Sequence, residues 1–132
     1  MHMKTASAII SIIVMLLSLV LSCSTPSELG ILQGYVSIGP IQPVVRPGQI
    51  VEVPCEVYEA RKIMVYNKSG NKLIQQVDID CDGRYSIELS PGTYNVDINR
   101  IGIDSSSDVP KRVEINSGLT TKLDIDIDTG IR

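Results

Sequence analysis

Short segments that alternate apolar and polar residues recur along this chain, and they constrain its fold more than any other feature. In RYSIEL, residues 84–89, Tyr85, Ile87 and Leu89 alternate with polar residues, and TYNVDI, residues 93–98, repeats the pattern. A period of two places neighbouring side chains on opposite faces of a β-strand, with one face on a core and the other in water. The sequence therefore predicts an all-β fold.

This period predicts seven strands, at residues 32–38, 62–67, 72–79, 84–89, 92–101, 111–115 and 119–127. Several joints between them carry residues that tolerate a positive φ or pre-set a turn, namely Ser69-Gly70-Asn71, Asp82-Gly83, Pro91-Gly92 and Ser117-Gly118. Beyond residue 22, no segment has the apolar period of a helix. Short strands at roughly ten-residue spacing are typical of a β-sandwich, so we expect a seven-stranded antiparallel β-sandwich.

Two segments interrupt the rhythm of the strands. Residues 39–54 contain four prolines, and residues 102–110 contain the run Ser105-Ser106-Ser107. Both are predicted to be loops. Because loops on a rigid scaffold carry binding sites more often than the strands do, we expect a binding surface to lie on these two loops.

The first 22 residues have the features of an export signal. Lys4 supplies a positive charge, and the almost unbroken apolar run at residues 6–21 predicts a hydrophobic signal-peptide helix. A run of 16 residues is shorter than the roughly 20 that a membrane-spanning helix needs. The segment is therefore predicted to be removed and not to remain as a membrane span.

Residues 19–23, Leu-Val-Leu-Ser-Cys, resemble the lipobox of bacterial lipoproteins, in which the cysteine is lipidated and becomes the N-terminus. The resemblance implies a signal peptide at residues 1–22, lipidation of Cys23, a tether at residues 23–30 and a domain at residues 31–132. Two or more acyl chains attach a protein stably to a bilayer. We expect attachment to the extracytoplasmic face of the cell membrane, or to the outer membrane if the organism has one. The alternative is a soluble secreted protein cleaved near the same position.

Composition excludes several functional classes from the predicted mature chain. The single histidine, His2, lies in the predicted signal peptide, so no imidazole remains for a catalytic triad or a metal site. Lys4 is one of the 12 basic residues, so 11 remain against 15 acidic residues, a net charge of −4. An acidic chain without a basic cluster is a poor partner for nucleic acid. We expect no nucleic-acid partner, no cofactor and no enzymatic activity.

Residues 80–96, DCDGRYSIELSPGTYNV, resemble the carboxypeptidase regulatory-like domains, which are prealbumin-like (transthyretin-like) β-sandwiches. The motif consists of two turns, Asp82-Gly83 and Pro91-Gly92, on either side of one strand. The C-terminal sequence Asp128-Thr129-Gly130-Ile131-Arg132 and the layout of residues 39–48 are similar to those of secreted bacterial proteins that carry this domain. In carboxypeptidases the domain is an accessory module without the catalytic zinc, so the resemblance implies a fold and no activity.

The tripeptide Asp128-Thr129-Gly130 has the same sequence as the catalytic loop of aspartic proteases. Such a protease needs a second aspartate opposite the first, and further structure that builds the cleft. Only Ile131 and Arg132 follow here. The alternating residues before Asp128 instead predict the end of an amphipathic strand and a glycine turn, so no catalytic residue is assigned.

Asp78, Asp80 and Asp82 are candidate Ca²⁺ ligands, because carboxylates at every second position begin the EF-hand loop. The EF-hand also needs a glycine and a bidentate glutamate at fixed later positions, and the next glutamate here is Glu88. The preferred interpretation places Asp78 and Asp80 in solvent and assigns Asp82 to the turn with Gly83. A Ca²⁺-stabilised adhesin is retained as a third hypothesis.

Cys55 and Cys81 are the two thiols that remain after lipidation of Cys23. Oxidation is available to an exported protein, so a disulfide between them is one expectation. Free thiols in a reducing envelope are the other. The spacing does not decide between the two.

The leading functional hypothesis is a non-enzymatic membrane-anchored lipoprotein that acts as an extracytoplasmic binding or structural module for an envelope protein or complex. The alternative is a carbohydrate-binding module of the cell envelope, since sugars commonly stack on exposed aromatic rings. Trp is absent, and the alternation assigns Tyr85 and Tyr94 to the core. Tyr35, Tyr58 and Tyr66 remain available for stacking on a glycan.

Overall fold

A computed structural model describes residues 28–132 as eight β-strands and one short helix. In chain order these are β1 (Gly30–Gly39), α1 (Cys55–Glu59), β2 (Lys62–Tyr66), β3 (Leu73–Asp78), β4 (Arg84–Leu89), β5 (Gly92–Ile98), β6 (Lys111–Ile115), β7 (Thr120–Lys122) and β8 (Ile125–Asp128). The predicted signal peptide and Cys23 lie outside the described residues. Within residues 28–132, no helix has the length and apolar character needed to cross a membrane.

The strands form two four-stranded sheets around one core. In the first sheet, β1 pairs with β4 along one edge and with β7 and β8 along the other. The second sheet has the order β3-β2-β5-β6 and is antiparallel throughout. The predicted all-β character is confirmed at this level.

The prediction of seven antiparallel strands is wrong in two respects. The strand predicted at residues 119–127 is divided into β7 and β8, which brings the number of strands to eight. Both of these strands pair with β1 in parallel, with Ile31 opposite Thr120 and Ile38 opposite Ile127. The period of two shows which residues share a face, but it carries no information about the direction of the neighbouring strand.

Leu123 and Asp124 separate β7 from β8 at the point where the chain passes Gly34. A Cβ on Gly34 would lie 1.9 Å from the Leu123 carbonyl oxygen, so the close approach requires glycine. The N–H of Leu123 donates to the Gln33 carbonyl at 2.9 Å, whereas the N–H of Tyr35 donates to the Asp124 carboxylate at 2.9 Å. The Asp124 side chain therefore replaces a backbone acceptor at the interruption.

The core is aliphatic and draws on both sheets. Strand β4 alternates exposed and buried residues over its whole length, as the sequence predicts. The largest side chains that are fully buried are Leu32, Ile63, Val65, Val96, Ile115, Ile125 and Ile127. Two charged residues, Arg61 and Asp104, are also buried.

Helix α1 is a single turn that the sequence did not predict. Pro54 precedes it and accepts the N–H of Val57 at 3.1 Å, and Ala60 closes the turn by donating to the Glu56 carbonyl at 3.1 Å. A five-residue helix is too short to show an apolar period of 3.6 residues, which explains the missed prediction.

Strand β1 connects two ends of the domain that we call the N-terminal pole and the loop pole. At the N-terminal pole, the N–H of Gly118 donates to the Leu29 carbonyl at 3.1 Å. At the loop pole, the N–H of Thr129 donates to the Gly39 carbonyl at 3.1 Å, beside the loop of residues 40–54. Ten residues of strand separate the two poles by about 30 Å.

Candidate functional site

An open groove of about 720 Å³ lies on the outer face of the first sheet. Its size is within the range of sites that hold small molecules or short segments of larger ligands. Most of the residues that line it have polar side chains, and they include Gln33, Tyr35, Asp80, Arg84, Ser86 and Lys122. These groups can donate and accept hydrogen bonds beside the aromatic ring of Tyr35.

Strand register places the lining side chains in two rows. Gln33 of β1 lies opposite Ser86 of β4 and, on its other side, opposite Lys122 of β7. Tyr35 lies opposite Arg84 in the next row of the same face. Cross-strand neighbours of this kind are close enough for their side chains to contact one another.

Tyr35 is the exposed aromatic residue in the lining of the groove. The residue is 47% exposed, and the Arg84 guanidinium carbon lies 5.3 Å from the centroid of its ring, which is a cation–π distance. Arg84 Nε also donates to the Tyr35 hydroxyl at 3.0 Å. Arg84 therefore holds the ring in place.

The turn between β3 and β4 forms one wall of the groove. The Asp80 carboxylate accepts the N–H of Asp82 at 2.9 Å and the N–H of Arg84 at 2.8 Å. The Gly83 N–H donates to the Asp80 carbonyl at 2.9 Å, with Gly83 at a φ of 82°. Asp80, and not Asp82 as the sequence suggests, is thus the residue whose side chain closes this turn.

The three candidate Ca²⁺ ligands do not converge in the structure. Asp78 pairs with Lys62 directly across the β2–β3 ladder, while Asp80 closes the turn. Within residues 28–132, the one group of three metal-ligating side chains with ligand atoms inside 4.8 Å of one another is Cys55, Glu59 and Cys81. Both of its sulfur atoms belong to a disulfide, so neither is a thiolate ligand.

The disulfide joins α1 to the turn that carries Asp80. Cys55 and Cys81 have a Cα–Cα distance of 4.6 Å, which is normal for a disulfide. The two cysteines are 26 positions apart in the sequence, so the bond closes a loop of that length. It connects the end of the loop of residues 40–54 to the wall of the groove. The sequence leaves open whether these cysteines are bridged or free, and in the structure they are bridged.

Tyr85 lies behind the groove and belongs to the core. Its hydroxyl donates to the Leu123 carbonyl, at the interruption between β7 and β8. Burial, with a smaller contribution from the Asp124 carboxylate, raises the pKa of Tyr85 well above its ordinary value. Tyr85 is therefore neutral throughout the physiological range and acts as a structural hydrogen-bond donor.

The remaining tyrosines differ in exposure. Tyr94 packs against the core, as expected, and its hydroxyl donates to the Ser90 carbonyl at 2.6 Å. Tyr58 is half-buried, and a Cβ on Gly83 would lie 3.2 Å from its ring. Of the three tyrosines expected to be available for stacking, Tyr35 is the one that lines the groove.

The second surface of interest is the loop pole. Val44, Ile50 and Ile103 are exposed there by 75%, 89% and 73%. Ile103 lies next to the C-terminal segment, since a Cβ on Gly130 would lie 2.3 Å from its Cδ1 atom. Loops with exposed aliphatic side chains on a rigid scaffold are suited to protein contacts.

A buried ion pair holds the loop that carries Ile103. Arg61 donates to both carboxylate oxygens of Asp104, at 2.9 Å and 3.1 Å, and also to the Val57 carbonyl at 2.9 Å. The alternating pattern of the sequence did not predict this pair. The sequence does contain a clue to it, because Arg61 shares the inward-facing register of Ile63 and Val65. A charge at such a position needs a buried partner.

The Asp128-Thr129-Gly130 segment forms a strand end and a glycine turn. The Asp128 carboxylate accepts hydrogen bonds from Arg132 at 3.0 Å and from the Gly130 N–H at 2.8 Å. The Arg132 guanidinium, together with that N–H, holds the pKa of the Asp128 carboxyl below its ordinary value. Asp128 is thus an ionised carboxylate that braces the C-terminus.

No protein-family profile and no curated protein sequence matches this chain. Solved structures do resemble it. The minor pilin GBS52 of Streptococcus agalactiae superposes with a TM-score of 0.54 and 14% identity over 78% of this chain and 45% of the pilin. The TIE protein of Bacillus anthracis gives 0.50 and 16% identity over 76% of this chain and 16% of that protein.

A DUF3823 family protein from Parabacteroides merdae is also similar, with a TM-score of 0.45 and 21% identity over 76% of this chain and 46% of that one. This chain spans less than half the length of each of these structures. Identities this low bear on the fold alone. The minor pilin is a β-sandwich protein, which is compatible with the prealbumin-like fold that the sequence motif implies.

Proposed function

We propose that this protein is a bacterial lipoprotein, anchored through Cys23, that acts as a non-enzymatic binding module for a protein of the cell envelope. The observation that carries the proposal is the arrangement of the two poles. Glu28, the first residue that the structure describes, lies at the N-terminal pole beside Ser117. The loop with exposed Val44 and Ile50 begins at the opposite end of β1, where Ile103 lies beside Gly130. An anchored domain would therefore present these loops away from the bilayer.

The fold and the chemistry of the loops support a binding role. The finer assignment, a carboxypeptidase regulatory-like domain, rests on the sequence motif of residues 80–96 and implies an accessory module. Asp128 is engaged by Arg132, and the Asp80 carboxylate is engaged by backbone N–H groups, so both carboxylates serve the fold. Hydrolase activity that disappears in an Asp128→Ala variant would overturn the non-enzymatic assignment.

Site-specific photocrosslinking in native membranes tests the proposal. A photoreactive residue at position 103 is expected to capture one discrete envelope protein. In the matched control, the photoreactive residue replaces Gln76, which is exposed in β3 on the side of the domain. Equal capture from both positions, or unchanged capture by a soluble Cys23→Ala form, would count against an anchored module that binds through its loop pole.

A second function, binding of an envelope glycan, is favoured by the groove around Tyr35. A pyranose ring could stack on the exposed face of this ring, which Arg84 holds in place, while Gln33 and Ser86 bond to sugar hydroxyls. Such a ligand would leave the loops free, so the two functions occupy different surfaces.

Calorimetry with a panel of envelope polysaccharides tests the glycan proposal. Tyr35→Ala removes both the ring and the hydroxyl and is expected to abolish binding. Tyr35→Phe keeps the stacking surface, so it should retain most of the affinity. Equal losses in the two variants would argue against stacking, and the absence of heat with every polysaccharide would remove the glycan hypothesis.

A further inference from the structure

Two exposed leucines lie on neighbouring segments at the N-terminal pole. Leu29 is 45% exposed and Leu119 is 60% exposed. Backbone hydrogen bonds join the two segments, because the Gly118 N–H donates to the Leu29 carbonyl at 3.1 Å and the Ile31 N–H donates to the Leu119 carbonyl at 2.9 Å. The Ser117 hydroxyl adds a third bond, to the Glu28 carbonyl at 2.8 Å. Both leucines are therefore held at the same end of the domain, Leu29 just before β1 and Leu119 just after the turn that leads into β7.

The length of the tether determines what this pole can face. Cys23 is six residues before Leu29. A fully extended chain spans at most about 3.6 Å per residue, so the Leu29 Cα cannot be farther than about 22 Å from the Cys23 Cα. The loop pole lies about 30 Å beyond, at the other end of β1. Of the exposed aliphatic groups at the two poles, those at the N-terminal pole are closest to the anchor.

We propose that Leu29 and Leu119 form a second contact with the bilayer, inserting into its interface beside the lipidated Cys23. The inference rests on the proposed lipidation, and it assigns a partner, the lipid surface, to the N-terminal pole. Burial of apolar side chains in the interface is favourable, and the acyl chains already supply the membrane affinity. The two leucines fix the orientation of the domain relative to the bilayer.

The surroundings of the leucines suit this location. Glu28 lies beside Gly118, with its carboxylate oxygen 2.9 Å from where a Cβ on Gly118 would be, and it is exposed. Its charge can remain in the hydrated headgroup layer. An orientation in which the leucines contact lipid keeps the loops with Val44 and Ile103 pointed away from the membrane.

The chain has no tryptophan, so one introduced Trp gives an unambiguous fluorescence signal. Leu119→Trp and Leu29→Trp are placed separately in the lipidated full-length protein. The matched control is Ile103→Trp, since Ile103 is at least as exposed but lies at the loop pole. Each protein is reconstituted in phosphatidylethanolamine–phosphatidylglycerol vesicles, with and without brominated phosphatidylcholine, after circular dichroism has verified folding.

The expected result is a blue-shifted emission and loss of intensity with brominated lipid for Trp at positions 119 and 29, and no change for Trp at position 103. Mass spectrometry of the same samples reports lipidation of Cys23 independently. Lipidated protein without quenching at positions 119 and 29 overturns the second contact and leaves the proposed anchor standing. An unmodified Cys23 overturns the anchor and this inference together.

Discussion

The N-terminal pole and the loop pole are stabilised by different kinds of interaction. At the N-terminal pole, short turns close directly onto β1 through backbone hydrogen bonds such as Gly118 to Leu29. At the loop pole, long loops are held by a disulfide between Cys55 and Cys81 and by the buried pair Arg61–Asp104. The short turns are thus stabilised by strand pairing, whereas the long loops depend on a disulfide and a buried ion pair.

The reason is the amount of chain that has to be ordered. Ordering each residue costs backbone entropy, and a short turn between paired strands orders few residues beyond those in the ladder. The loop of residues 40–54 contributes exposed Val44 and Ile50 and little core. A few strong links therefore stabilise the loop pole, and the loss of one link should affect it more than any surface change at the N-terminal pole.

The largest expected effect is the loss of one partner of the buried ion pair. Asp104→Ala leaves the Arg61 guanidinium buried without its carboxylate and should lower the free energy of unfolding by about 3–5 kcal/mol. Urea denaturation followed by circular dichroism measures it. The control at the other pole is Ser117→Ala, which removes one exposed hydrogen bond and should cost about 0.5 kcal/mol or less.

The double variant Arg61→Met, Asp104→Leu sharpens this test. It removes both charges and keeps apolar volume at both positions, so its loss of stability should be smaller than that of Asp104→Ala alone. If the double variant were less stable than Asp104→Ala, the ion pair would stabilise the fold by more than the mutual neutralisation of two buried charges.

The next effect is the loss of the disulfide. The double variant Cys55→Ser, Cys81→Ser should lower the free energy of unfolding by about 3–4 kcal/mol, because the bond restricts the unfolded chain. Limited proteolysis should then cut first within residues 40–54. Addition of a reducing agent should destabilise the wild-type domain and leave the double variant unchanged. If the reducing agent destabilised both proteins equally, its effect would not be due to the bond between Cys55 and Cys81.

A smaller effect is expected at Tyr85, midway between the poles. Tyr85→Phe removes the hydrogen bond to the Leu123 carbonyl and should cost about 1 kcal/mol at neutral pH. Because the pKa of Tyr85 is raised in the folded state, its contribution is fully present below the unfolded value, near 10, and is lost as pH rises above it. The wild type should lose more stability than Tyr85→Phe between pH 9 and about 11, as measured by urea denaturation.

The smallest effect is expected at the C-terminus. Arg132→Gln removes the exposed partner of Asp128 and should change the stability at neutral pH least of all these variants. The pKa of the Asp128 carboxyl is lowered in the folded state, so its contribution is present above the unfolded value and is lost as pH falls through the folded one. NMR titration of Asp128 should show a higher pKa in Arg132→Gln. An unchanged pKa would assign the shift to the Gly130 N–H instead.

Part of the candidate site could be predicted from the sequence. The positions of β4 and β6, the core role of Tyr85 and the availability of Tyr35 all follow from the period of two. The stacking of Arg84 on Tyr35 could not be predicted, since 49 residues separate them and only the β1–β4 register brings them together. The same holds for Arg61 and Asp104, which are 43 residues apart.

The sequence by itself determined the local elements of this protein: half-buried strands, glycine turns, an aliphatic core and two long loops. These properties depend on each residue and its close neighbours, because alternation and turn chemistry act over a few residues. Only the tertiary structure decided the parallel pairing of β7 and β8 with β1, the disulfide and the buried ion pair. Each of these joins distant segments, and its geometry exists only once both sheets have closed around the core.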